Sequence, residues 1–183
     1  MNIRIGEVRE QGEGIYVFPL FSPIYCRRIL REVAKHPQDP ADQPNGLNRY
    51  GARLADVGLT SLADHLLNEV VKPLAKRFFP AEKLAEQYGF IVDYEQGKQR
   101  GLVTHYDASD VTLNVCLGRK FEGGTLVFSD PTVELDHKIG QAVLHHGTRL
   151  HRAKPLESGQ RSNLILWCRR KRKRLPPIWT TKG

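Results

Sequence analysis

No two cysteines in this 183-residue sequence stand at CxxC spacing, and their number, three (Cys26, Cys116 and Cys168), is odd. That argues against a disulfide framework and for a reduced, intracellular chain with buried thiols. No apolar run approaches the roughly 18 residues of a membrane span, and the charged start from Met1 to Arg9 is unlike a secretory signal. The expectation is therefore a chain with no membrane partner. Internal repeats are missing, as is low complexity outside one basic run. An even spread of charge is lacking too. The formal charge is +8, but six cations are consecutive, Arg169 to Arg174, leaving the remainder only two above neutral. A fold that grips nucleic acid over a broad basic face is not suggested. What is present, 40% hydrophobic and 26% charged residues over this length, describes one globular domain able to bury a full core.

Local patterns divide the chain in two. Ile15–Phe18 reads as a strand. Ser22 followed by Pro23 is an N-cap with proline in the first helical turn, predicting a helix to about Lys35. The stretch 37–51 holds three prolines and Asn45-Gly46 and reads as an exposed loop, long enough to serve as a lid. Thr60 is placed to cap a second helix whose apolar stripe is Leu62, Leu66, Val70, Leu74 and Phe78, with a kink expected at Pro73. Beyond residue 88 the period changes to two. Short runs follow at 88–94, 102–106, 111–117, 125–128, 132–135, 142–145 and 163–168, punctuated by Gly, Pro and Asp. Helices followed by seven or eight strands indicate an α+β chain: a double-stranded β-helix (jelly-roll, cupin-like) core backed by N-terminal helices. The expected organisation is one domain over 1–168, with 1–87 supplying support and 88–168 the core, then a basic tail over 169–183.

Within Val111–Leu117 every odd position is aliphatic, while the even ones are Thr112, Asn114 and Cys116. A strand places these sets on opposite faces, so one face packs on another layer. The other is either solvated or lines a cavity. Upstream, His105 and Asp107 stand at i, i+2 and project to one side of a strand, with Tyr106 opposite. Joined by a distant His151, they would make the two-imidazole, one-carboxylate set of non-haem Fe(II) oxygenases. Alone, this pattern equally describes ordinary surface or core residues. Arg161, ten residues beyond His151, could hold a carboxylate through a bidentate charge-assisted pair, or be an exposed cation after a Ser158-Gly159 turn.

Taken together, these pieces resemble the catalytic core of Fe(II)- and 2-oxoglutarate-dependent dioxygenases of the prolyl 4-hydroxylase and procollagen lysyl hydroxylase type. The matching segments are Tyr94-Glu95-Gln96-Gly97, His105-Tyr106-Asp107-Ala108-Ser109, Thr112-Leu113-Asn114-Val115, Phe121-Glu122-Gly123-Gly124-Thr125 and His145-His146-Gly147. His151, Arg161 and Trp167 complete the set, over roughly 80 of the 183 residues. The resemblance implies that His105, Asp107 and His151 bind Fe(II) and that Arg161 receives the distal carboxylate of 2-oxoglutarate. It implies that Tyr94, Asn114, Thr112 and Cys116 line the co-substrate pocket, with Trp167 as a wall. Implied cofactors are Fe(II), 2-oxoglutarate and O2, with ascorbate as an open addition. The implied reaction is hydroxylation of a C–H bond with release of succinate and CO2. The retained Asp107 sets the chain apart from related halogenases. His145 and His146 are alternative ligands pointing to opposite faces; His36, His65 and His137 read as surface residues. Gly123-Gly124 reads as a tight turn or bulge.

The substrate class this implies is a peptidyl proline or lysine. A free amino acid or other small molecule, and nucleic-acid base oxidation or demethylation drawing on the basic run, stand as alternatives. The β region lacks an aromatic ladder for stacking bases, which weighs against the last. A hydrolytic zinc site and a non-catalytic module are the remaining readings, disfavoured by the intact ligand set and Arg161. The expected location is cytoplasmic, or nuclear in a eukaryote on the strength of the basic run. The oligomeric state is left open.

Overall fold

The computed structural model describes residues 5–36, 46 and 48–171. Most of the 37–51 stretch read as a lid, and the basic run beyond Lys171, lie outside the described residues. The chain begins with a hairpin, β1 (Arg9–Gly12) and β2 (Ile15–Pro19), and enters α1 (Pro23–Val33). The Ser22 side chain caps α1 by accepting from the Tyr25 N–H at 3.2 Å. After the short β3 (Gly51–Arg53) comes one continuous helical stretch: α2 (Thr60–His65), a π-helical turn (Leu66–Val71) and α3 (Lys72–Phe78).

Two expectations are adjusted here. The N-cap is Leu59, without a side-chain cap, because Thr60 is already helical: Leu62 and Ala63 both donate to the Leu59 carbonyl. At Pro73 the break in the regular α-helix takes the form of a widened, π-helical turn immediately upstream. Proline cannot donate and crowds the preceding turn. Lys72 donates five residues back, to Leu67, and the ring is accommodated.

The remaining strands are β4 (Leu84–Glu95), β5 (Leu102–His105), β6 (Val111–Gly118), β7 (Phe121–Gly123), β8 (Leu126–Ser129), β9 (Thr132–Leu135), β10 (Gln141–His146), β11 (His151–Ala153) and β12 (Leu156–Arg170). They form two sheets. The large one runs β1-β2-β10-β6-β12-β4-β3, with β7 attached to β12; the small one runs β5-β11-β8-β9. All these pairings are antiparallel. The expected jelly roll is present, enlarged by the N-terminal strands, which join the large sheet.

Period-two alternation places the core. Val111, Leu113, Val115 and Leu117 of β6 and Leu164, Leu166 and Cys168 of β12 turn outward, beneath Cys26, Ile29 and Val33 of α1 and the 60–78 helices. Their alternates turn inward, between the sheets. There Phe90, Val92, Tyr94 and Ile165 of the large sheet meet Ala153 of the small one. Among the described residues no helix is long and apolar enough to cross a membrane.

Strand β12 corrects two boundaries. It runs straight through Ser158 and Gly159, where a turn was expected. Gly159 takes φ +77°, and a Cβ there would lie 2.0 Å from the Lys120 carbonyl. This residue lets the strand pass from pairing with β7 to pairing with β4 and β6. Strand β12 also continues through Arg169 and Arg170, which pair with Glu86 and Leu84 of β4, so the basic run starts inside the sheet.

Candidate metal centre

His105 closes β5 and His151 opens β11, and the two are direct antiparallel partners. Their rings therefore lie side by side, centroids 4.3 Å apart. Asp107 follows two residues after His105, on the same side, while Tyr106 between them is 61% exposed. One donor atom from each of His105, Asp107 and His151 lies within 4.8 Å of the other two. His105 Nε2 is 3.5 Å from Asp107 Oδ1, and His151 Nε2 is 3.7 Å from Asp107 Oδ2.

The surroundings prepare these atoms as ligands. His105 Nδ1 faces the Val103 carbonyl and His151 Nδ1 faces the Arg149 carbonyl, both at 2.8 Å. A ring nitrogen against a carbonyl must carry the proton, so in the neutral ring the bare lone pair is on Nε2, toward the cluster. Thr112 Oγ1 donates to Asp107 Oδ2 at 2.7 Å and is itself 2.7 Å from Ser109 Oγ. Burial pushes the Asp107 carboxyl up. The contacts from His105, His151, His145 and Thr112 outweigh it and bring it to about 2. His151 is held below its ordinary value by burial, against the pull of Asp107. At His105 burial also lowers, but Asp107 and the Val103 carbonyl together win and raise it. Two imidazoles and an ionised carboxylate on one face are a donor set that fits Fe(II) and leaves the opposite positions open.

Behind this cluster lies Arg161, 1% exposed. Its guanidinium carbon sits 4.8 Å from the Tyr94 ring centroid and 5.6 Å from that of Phe121. Nη1 donates to the Gly124 carbonyl, while Nε is buried without a partner. Among the described residues no carboxylate lies within ion-pair reach of it. A buried cation without a counter-charge is costly, and an incoming carboxylate would relieve that cost. A cavity joins the two features. It is lined by His105, Asp107 and His151, by Tyr94, Asn114, Asn163 and Arg161, and by Phe90, Ile165 and Trp167.

The other sequence candidates are distributed as follows. Tyr94, Asn114 and Trp167 line the cavity. Thr112 serves the Asp107 carboxylate. Cys116, expected to line the pocket, is fully buried and is not part of the cavity lining; burial pushes its thiol up to about 11 despite the pull of Arg161. His145 and His146 do face opposite ways. His145 is buried beside Asp107, Nε2 to Oδ2 at 4.0 Å, with its Nδ1 on the His146 carbonyl. His146 packs against Phe79 and Asp110. His137, read as a surface residue, is 4% exposed and packed inside the barrel.

Four residues with site roles escaped sequence reasoning. Asn163 donates to Asn114 Oδ1 at 2.7 Å inside the cavity wall. Gly124 supplies the carbonyl for Arg161, and more than turn geometry requires glycine there. Arg170 donates to Asp110 through its backbone N–H at 2.7 Å and through its guanidinium at 3.1 and 3.2 Å, and reaches Glu82 at 3.3 Å. Arg169 Nε donates to the Ala108 carbonyl at 2.5 Å. The first two cations of the basic run thus hold the Asp107–Asp110 segment, which carries a candidate ligand. Alternating charge would have signalled neither contact.

Comparisons with known proteins follow the same lines. The OGFOD2-like domain family matches residues 4–83. The chain is 35% identical over 185 residues to the 2-oxoglutarate and iron-dependent oxygenase domain-containing protein CP2 of Arabidopsis thaliana, covering 88% of this chain and 47% of the relative. It is 36% identical over 178 residues to 2-oxoglutarate and iron-dependent oxygenase domain-containing protein 2 of Homo sapiens, covering 89% and 51%. It is 29% identical over 181 residues to the procollagen lysyl hydroxylase and glycosyltransferase of Acanthamoeba polyphaga mimivirus, covering 90% and 20%. The chain thus spans about half the length, or less, of these curated relatives. Among solved structures, the viral collagen prolyl hydroxylase of Paramecium Bursaria Chlorella virus-1, in its 2OG complex, superposes with a TM-score of 0.63 at 15% identity. That match covers 86% of this chain and 96% of the other.

Proposed function

Because the chain belongs to the superfamily of 2-oxoglutarate- and Fe(II)-dependent oxygenases, we propose that it hydroxylates a C–H bond of a protein or peptide, at a prolyl or lysyl side chain. The observation that carries this reading is the pairing of the three-donor cluster with an unpaired, buried Arg161 across one cavity. His105 Nε2, His151 Nε2 and the Asp107 carboxylate would hold Fe(II). Arg161 would receive the distal carboxylate of 2-oxoglutarate. When bound, iron and 2-oxoglutarate supply the oxidising power, converting O2 and 2-oxoglutarate to succinate and CO2 while one oxygen atom goes to the substrate.

The chain's own part is placement and shielding. The two backbone carbonyls keep the imidazole lone pairs aimed at the cluster, and the Thr112 hydroxyl orients the Asp107 carboxylate. Phe90, Ile165 and Trp167 wall the cavity against water. Exposed Val103 and Tyr106 flank His105 at the surface. Apolar groups beside a reaction centre suit a polypeptide substrate better than a small polar one. The likeness to a procollagen lysyl hydroxylase supports the same class. Nucleic acid is disfavoured because Arg169 and Arg170 are already engaged with Ala108, Asp110 and Glu82.

The test is succinate formation from 2-oxoglutarate with Fe(II), screened against proline- and lysine-containing peptides, free amino acids and oligonucleotides. A peptide that stimulates succinate release and gains 16 mass units, the mass of one oxygen atom, is the expected result. Stimulation by oligonucleotides or free amino acids alone would overturn the substrate class, and no turnover with any of them would overturn the reaction.

A further inference from the structure

We infer that His137 is a positioning residue for the co-substrate pocket: through Asn163 it dictates which way the Asn114 amide points, so that Asn114 offers N–H donors to the cavity. The inference rests on the reading above, in which this cavity takes 2-oxoglutarate.

His137 Nε2 lies 2.8 Å from the Gln141 carbonyl, an acceptor only, so Nε2 carries a proton. His137 is enclosed beside the buried Arg161. Burial first, and that cation second, bring its ring down to about 3, so it is neutral. A neutral ring protonated on Nε2 has a bare lone pair on Nδ1. The group facing Nδ1, at 3.4 Å, is the Asn163 amide. It must turn its NH2 to the ring, because its oxygen would set two lone pairs against each other. The same NH2 reaches the Asn114 amide at 2.7 Å, and there it must find an oxygen.

With Oδ1 of Asn114 so committed, its NH2 is left for the cavity that Asn114 lines. Reversing the ring tautomer would reverse both amides and present oxygen to an anionic ligand instead. The Asn163 oxygen is buried and has no partner. Its NH2 is therefore turned to His137 and Asn114 at the expense of its own acceptor, as the tautomer argument requires.

The experiment has two arms on the full chain. In the metal-free protein, long-range proton–nitrogen correlation of the His137 ring reads the tautomer at neutral pH. Protonation at Nε2 is expected; protonation at Nδ1, or on both nitrogens, would overturn the inference even if every variant failed to fold. In the Mn(II)-loaded protein, calorimetric titration of 2-oxoglutarate compares wild type with His137→Leu and His137→Gln. Leucine removes the acceptor and should weaken binding about tenfold, the size usual for an outer residue that orients a ligand-contacting one. Glutamine keeps one donor and one acceptor and should restore affinity to within about threefold, while Mn(II) affinity stays unchanged in both. Equal affinity in wild type and His137→Leu would overturn the proposal. Failure of wild type to bind 2-oxoglutarate at all would instead overturn the functional reading on which it stands.

Discussion

Arg161 and Gly124 are locked together: Nη1 of the arginine donates to the glycine carbonyl, and a Cβ on that glycine would lie 2.8 Å from the same Nη1 and 2.6 Å from Leu156 Cδ2. Gly124 also holds φ +71°, a backbone region that side chains resist. Gly124→Ala should therefore act at the cation rather than only on the turn. The expected outcome is a loss of stability of about 1–3 kcal/mol, with a rise of about tenfold in the KM for 2-oxoglutarate and little change in metal affinity. A variant that unfolds earlier yet keeps the wild-type KM would show that the arginine is held by other contacts.

His151 and His145 lie close together, ring centroids 4.9 Å apart, but their nitrogens are spent differently. His151 gives its Nδ1 to Arg149 and its Nε2 to the cluster, whereas His145 Nε2 stands 4.0 Å from Asp107 and outside the three-donor set. His151→Ala should abolish Co(II) binding, followed by its visible absorption, and with it turnover. Thr112→Val, which removes the donor on Asp107 Oδ2, should weaken Co(II) by about 10–100-fold. His145→Phe should leave binding within about tenfold of wild type. Loss of binding as complete in His145→Phe as in His151→Ala would make His145 a ligand.

Sequence pattern exposed this site unevenly, and the reasons are physical. Thr112, Asn114 and Cys116 were legible as an inward face because β6 is buried on both sides and strand geometry enforces alternation. His105 and Asp107 were legible through the same spacing. His137 was not. It lies in the connection between β9 and β10, where no period operates, and the amide facing its Nδ1, Asn163, is 26 residues away. The Ser158-Gly159 pair carries turn chemistry, yet glycine's freedom serves a change of strand partner there. Arg169 and Arg170 read as a solvated tail because six like charges in a row normally are. Only the pairing of β12 with Glu86 and Leu84, far upstream, draws them into the sheet.

That pairing makes a prediction about the ligand segment. Asp110 is held by Arg170, its backbone N–H donates to the Cys168 carbonyl, and its carbonyl accepts from Gly147 N, while Asp107 N donates to the Gly147 carbonyl. Removing the guanidinium in Arg170→Ala should loosen this turn without dissolving the sheet. Amide hydrogen exchange over residues 107–110 should accelerate severalfold, while protection across β6 and β10 is kept. Uniform acceleration through both strands would mean that Arg170 supports the whole fold instead of the turn.

The buried histidines set the response to acid of the metal-free protein. His137 and His145 are each brought down to about 3, chiefly by burial, from an ordinary 6.5. In the unfolded chain both take up protons as pH falls through 6.5; in the folded chain neither does until about 3. Between those limits the unfolded state binds more protons, so stability rises with pH and is lost as the solution is acidified, by about 1.4 kcal/mol per pH unit for each group. His105, with its raised value, works in the opposite sense but above this window: its stabilisation is complete once pH has fallen to 6.5 and is lost as pH rises through its folded value. The Asp107 contribution, held at about 2 against 3.8, is intact above about pH 4 and is lost as pH falls from 3.8 to about 2. Comparing wild type with His137→Gln isolates one group. Urea denaturation between pH 6 and 4 should give a wild-type slope steeper by about 1.4 kcal/mol per pH unit, one proton's worth. Parallel slopes would mean that His137 charges within the native fold, and that its neutral ring is not what the barrel interior requires.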